Sequence, residues 1–294
     1  MPVYRDGAAL PRVAPPRITA SATRSARPPL ESAGSADAYR QATFVLGKEI
    51  ELLLRGFALE GAIAEASAGA KYRTQQAAAG LGLWSRAWLT RLQAMHALEW
   101  GSYVAAMPLV RAAADYQASG LYVLRDEAQE WTAWLQSGGI AIAPQEHATE
   151  LQLHAFRAAE VLAAHAILGP IYRASTDLSL PHFGSTLLLA GSDSDPERVL
   201  ITFGDRDFHL GLAQVVSGWL LLLGVAQLEA ALEFATVFAI PESQAVAAFC
   251  ADARSVAADP DRCRVEVIER DGEKRYLIHN WRRAAGGAPK RILL

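Results

Sequence analysis

Three of the seven histidines fall in one stretch of the 294-residue chain. At 100° per residue, His147, His154 and His165 project within about 20° of one another on a helix, with Glu150 about one-sixth of a turn aside. Leu151, Ala158, Val161 and Leu162 share that face. An imidazole is a common metal ligand and a proton carrier near neutral pH. His154 and His165 are about three turns apart, so one helix cannot bring all three to a single ion. A metal site would pair His147 with Glu150, or Glu150 with His154, and complete its shell from another helix. Zinc, iron or manganese would suit such a set. The pattern serves equally as core histidines with local partners, so no metal or cofactor is assigned from the sequence.

Two further sets could hold a ligand. Arg111 and Asp115 lie four apart in LVRAAAD and face each other across one helical turn. Arginine before aspartate is the less stabilising order and Val110, Ala114 and Leu121 lie close by, so Arg111 either snorkels outward or is paired inside, as a structural pair before a ligand-anchoring one. In LSLPHFG, His182 follows a proline on a connection between helices, with Ser179 three residues away. A rigid scaffold can aim such a loop at a pocket. No glycine-rich nucleophile elbow surrounds Ser179, which argues against a hydrolase triad.

The segment 84–124, with Leu109-Val-Arg111 and Asp115, is similar to a helical part of uncharacterised bacterial proteins of unknown function. Their pattern is apolar-Arg-x-x-x-Glu, followed downstream by a Ser-x-x-x-His step. Here Asp115 replaces the glutamate, and Ser179 to His182 is one residue shorter. The resemblance implies an all-helical fold and carries no activity with it. Separately, Arg91-Leu-Gln-Ala-Met-His96 resembles the Arg-x(4–6)-His motif of HEPN ribonucleases, which are helical and often dimeric. That resemblance implies that Arg91 and His96 would act on an RNA phosphate and 2′-hydroxyl. The polar residue that usually follows the family's arginine is replaced here by Leu92.

Composition narrows the field. Lysine plus arginine total 28 against 31 acidic residues, so the surface as a whole does not suit nucleic acid. Cys250 and Cys263 form no CxxC and build no cysteine zinc site. Neither GxGxxG nor GxxxxGK[ST] occurs, which disfavours the usual nucleotide folds. The Arg- and Ala-rich, Lys-poor usage suggests a high-GC bacterial genome. Arg5, Arg12 and Arg17 occupy the place of a secretory apolar core, so a cytoplasmic protein is expected.

The elements that must position these residues centre on LGLAQVVSGWLLLLGVAQL, residues 210–228, which carries no charge. A helix apolar on nearly every face belongs at the middle of a bundle. The run is long enough to span a bilayer, but Gln214, Ser217 and Gln227 interrupt it and Asp205, Arg206 and Asp207 crowd its entry. It is read as a buried helix over 210–238, with no membrane association. Other helices are expected over 38–68, with Ser35 or Asp37 as cap, and over 75–100, 103–124, 125–135, 144–168 and 241–258. Gly169-Pro170 closes the 144–168 helix, and a short turn follows over 171–177. Residues 186–189 and 199–203 read as two short strands. Arg264 to His279 around Asp271-Gly272 reads as a β-hairpin.

The expected fold is therefore mainly α: an arm (1–35) rich in Pro, Arg and Ser, a helical bundle (36–258), and a hairpin with tail (259–294). The arm is read as solvated, with five arginines that could reach nucleic acid or a neighbouring subunit. The tryptophans between Trp84 and Trp134 suggest a homodimer face. The functional reading is a non-enzymatic module in which Arg111, Asp115, Ser179 and His182 hold a small-molecule ligand or partner. The alternative is a HEPN-like ribonuclease, or a metal-dependent hydrolase.

Overall fold

A computed structural model describes residues 16–19, 21–67, 75–125, 158–191, 194 and 197–294. The uncharged run forms helix Leu210–Glu233, buried from Leu210 to Ala231 except along one half-buried face of Gln214, Gly218, Leu222 and Glu229. Around it stand Ala33–Val45 (α1), Gly47–Ala66 (α2), Gln75–Glu99 (α3), Tyr103–Arg125 (α4), Ala158–Ala164 (α5), Leu168–Ser179 (α6), Phe183–Ala190 (α7) and Ser243–Ala258 (α9). The central helix is α8. It touches α2, α3, α4, α6 and α9 as well as the sheet. It is long and apolar enough to cross a membrane, and 78% of its most apolar window is buried inside the protein.

Close helix approach depends on missing side chains. A Cβ at Gly56 of α2 would lie 2.6 Å from the Phe249 ring of α9, and one at Gly224 of α8 would lie 3.2 Å from the same ring. Phe249, only 1% exposed, is thus seated between two helix backbones. Helices α3 and α4 run antiparallel, with Gly80 against Leu124 and Leu83 against Gly120. Gly101 turns the chain between them at φ 71°, where a Cβ would strike the Arg206 carbonyl. Pro108 lies inside α4 on its exposed side, so its missing N–H disturbs the solvent face of the helix.

The C-terminal residues form an antiparallel sheet in the order Arg264–Arg270 (β1), Glu273–Trp281 (β2), Lys290–Leu293 (β3). The expected hairpin is present. Arg270 pairs with Glu273 across Asp271 and Gly272, whose φ values of 56° and 78° are those a two-residue turn requires. The third strand adds to it beyond an irregularity at Asn280. Ile278 and Trp281 are buried. The sheet region also caps α8: the Leu210 and Gly211 amides donate to the carbonyls of Arg283 and Arg282, at 2.8 and 2.9 Å. Two of the four orphan donors of a helix start are satisfied in this way.

Several sequence expectations need correction. The 38–68 helix is two helices broken at Leu46, and it starts at Ala33 after Ser32, so neither Ser35 nor Asp37 is the cap. Residues 186–189 lie in α7, where the Ser185 and Thr186 hydroxyls donate to the His182 carbonyl in the first turn. Residues 199–203 make no strand. The Thr202 amide donates to the Ala190 carbonyl. Gly169-Pro170 opens α6 and closes nothing, because the absence of a Cβ lets Gly169 sit against the Leu162 carbonyl. The central helix ends at Glu233 and turns over the next residues. The 125–135 helix and the 144–157 part of the next lie outside the described residues.

Gly56→Ala should lower the free energy of urea unfolding by about 1–3 kcal/mol, read as a lower midpoint at unchanged m, because Phe249 must move. Gly82→Ala, exposed in mid-helix with nothing within 4 Å, should raise it by up to about 1 kcal/mol.

Candidate functional site

Helices α2 and α3 place a carboxylate and two indoles around a cavity of about 160 Å³. From α2 come Glu60, Gly61 and Ala64; from α3 come Leu81, Trp84, Ser85, Trp88 and Leu89. The spacings of three and four put each set on one helix face. Residues 16–19 of the N-terminal segment complete the wall.

The indoles are fixed. Trp84 Nε1 donates to Glu60 Oε2 at 2.6 Å, and its ring meets Phe238 edge-on at 5.2 Å. Trp88 Nε1 donates to the Phe57 carbonyl at 3.2 Å and stands edge-on to the Phe57 ring at 5.5 Å. With both N–H groups engaged, what the tryptophans offer the cavity is aromatic surface. Glu60 is 1% exposed and Arg91 2%. Arg91 Nη2 donates to the same Glu60 Oε2 at 2.5 Å, and the guanidinium lies over Phe57. Glu60 Oε1 and Arg91 Nε have no hydrogen-bond partner. This buried pair therefore carries one unmet acceptor in the residue that lines the cavity.

A strap holds the site's edge. The Glu99 carboxylate, fully buried, accepts from Arg24 Nε at 2.6 Å and from the Ser25 amide at 2.8 Å. His96 Nε2 donates to the Thr23 carbonyl, and Trp100 Nε1 to the Ala26 carbonyl. Residues 16–19 and 21–26 thus lie along α3. This described part of the arm expected to be solvated is docked, because Arg24 answers a buried carboxylate.

The sequence candidates fall into separate places. Arg91 and His96 are not brought together: Arg91 is sealed against Glu60, while His96 faces the strap. Arg111 donates to the Tyr172 hydroxyl of α6 at 3.1 Å and lies over that ring. Asp115 is half-buried one turn along α4. The Ser179 hydroxyl donates to the Ser175 carbonyl at 2.5 Å, and His182 is exposed before α7. These four do not converge in one enclosed pocket. His147, Glu150 and His154 lie outside the described residues, and among the described residues no cluster could hold a metal ion. His165 sits at the break between α5 and α6, where its Nδ1 accepts from the Ile167 and Leu168 amides. Trp84 is buried and Trp88 half-buried, both turned to the cavity; Trp131 and Trp134 lie outside the described residues.

No family model, curated protein or solved structure matches this chain. The site is therefore read from its own chemistry. Glu60 is the residue that sequence reasoning missed, although it occupies the buried stripe of Leu53, Phe57 and Ile63, where a carboxylate needs an explanation. Two other buried charges were missed with it. Glu99 holds the strap, and Arg262 ties Glu49 to the Ser217 hydroxyl and the Gln214 carbonyl. Burial raises the Cys250 thiol to about 11 and the Cys263 thiol to about 12, so neither is a thiolate at neutral pH.

Arg91→Met should cost about 3–5 kcal/mol in denaturant unfolding, since it strands Glu60 without its cation. Glu60→Gln combined with Arg91→Met should recover most of that, because the amide still accepts from Trp84. A full, additive loss in the pair would contradict this account. Burial, then the nearby Arg125, hold the His165 imidazolium below its ordinary pKa. The folded state then disfavours the proton that the unfolded chain takes up. The corresponding stability is complete above about pH 6.5 and is lost as pH falls below it. Melting His165→Asn beside the parent between pH 7.5 and 5 should show a flatter profile in the variant.

Proposed function

We propose that this chain is a helical module that binds a small apolar molecule between α2 and α3, with no chemistry of its own. The observation that carries the reading is the Trp84–Trp88 cavity. It is a half-open cleft, with Ile18, Ser85 and Leu89 of its wall exposed. Its volume of about 160 Å³ is similar to that of engineered apolar cavities, of roughly 150 Å³, that take up benzene. Two rigid aromatic walls supply contact area at little entropic cost, because their hydrogen bonds already hold them in place.

The docked strap supports the same reading. Residues 16–19 cover the cavity and Arg24 anchors them to Glu99. A ligand would enter by displacing a few residues of extended chain, with the helices left where they are. Among the described residues the hydroxyls in the cavity wall are those of Ser85 and Thr19, and no histidine stands beside them as a base. Binding therefore fits the site better than catalysis.

Titration calorimetry with toluene should show a single saturable site. The ligand at one hundred times its Kd should add about 2.7 kcal/mol to unfolding stability. Ala64→Phe, which puts a ring into the space, should fold and fail to bind. Absence of any toluene binding to the parent protein would remove the proposal.

A further inference from the structure

The geometry points to a ligand of narrower class: a benzene-sized ring bearing one neutral hydroxyl or N–H donor, anchored on Glu60 Oε1. This rests on the binding reading above and deepens it. Glu60 stands in the wall of the cavity. One carboxylate oxygen, Oε2, takes both Trp84 Nε1 and Arg91 Nη2. The other, Oε1, is buried and, among the described residues, accepts from none. An acceptor left without a donor away from water carries its whole desolvation penalty, and for a charged oxygen that penalty is large. A ligand that brings a donor relieves it and gains a charge-assisted hydrogen bond.

The charge balance selects a neutral donor. Arg91 already compensates Glu60, both are nearly inaccessible, the remaining lining from the helices is Gly61, Ala64, Leu81, Ser85, Leu89 and the two tryptophans, and the strap adds a second cation, Arg17, at the exposed edge. A protonated amine would carry an uncompensated charge into this apolar space. A phenol brings the donor with no charge, and its ring matches the volume. The remaining ring surface lies against Trp84 and Trp88, which have no free donor to compete for Glu60.

The test is a matched pair of ligands on the unaltered protein. In a plain apolar cavity toluene binds more tightly than phenol, because the phenol hydroxyl must leave water unpaired. With Oε1 as anchor the order reverses, and phenol should bind about tenfold more tightly than toluene. In Glu60→Gln the amide oxygen keeps Trp84 and Arg91 and the NH₂ replaces Oε1, so a donor meets a donor. The readout is the phenol-to-toluene affinity ratio within each protein, which should fall from about ten in the parent to below one in the variant; a melting curve checks that the variant, whose Arg91 has lost its carboxylate, is folded. If toluene binds the parent more tightly than phenol, the anchor is wrong and the cavity reading stands. If neither ligand binds the parent, the cavity reading fails and the anchor with it. An unchanged phenol preference in Glu60→Gln would place the donor's partner elsewhere and overturn the assignment to Glu60.

Discussion

Burial of α8 on all but one narrow face is the constraint from which the rest of the structure follows. A helix without charge from Leu210 to Gln227 gives water only the half-buried strip of Gln214, Gly218 and Leu222, so its neighbours must offer apolar sides to the rest. Helices α2, α3, α4 and α9 do so directly. Its few polar groups are then satisfied from outside the helix. The Gln117 amide of α4 reaches the Leu223 carbonyl, and Gln214 accepts from the Cys263 amide. Arg262 closes on Ser217. Each of these bonds fixes the position of a segment far away in sequence.

Buried ion pairs do the same for the outer layer. Glu60–Arg91 joins α2 to α3, Glu49–Arg262 joins α2 to the approach to the sheet, and Glu99–Arg24 joins α3 to the strap. Such pairs add little net stability over apolar contacts, yet a misplaced partner leaves a charge stranded. They therefore select one arrangement among many that would bury similar area. The cavity is a by-product of that selection at one point. Glu60 is drawn back toward Arg91, and two large indoles are held by their N–H groups at its side.

Much of the fold was legible. The uncharged run, the three-four rhythm of α3 and α4 and the Asp271-Gly272 turn each follow from local periodicity or a required backbone angle. What was not legible depended on distant partners. Strand β3 is four residues long and exists only because β2 presents an edge to it. Residues 186–189 look like a strand because they are apolar, but the Ser185 and Thr186 hydroxyls both donate to the His182 carbonyl, which the first turn of a helix allows and a strand does not. For the site, the aromatic rhythm of Trp84 and Trp88 was visible while its inward role was not. Glu60 went unnoticed because its partners lie 24 and 31 residues away. Arg91 drew attention for a motif that needs solvent access, and its burial came from Glu60.

The capping of α8 by the Arg282 and Arg283 carbonyls sets an order on biosynthesis. A chain emerging from the ribosome presents its helices first, yet the rod at their centre keeps two amides open until about seventy further residues have appeared. The small sheet is thus the clasp that completes the start of α8.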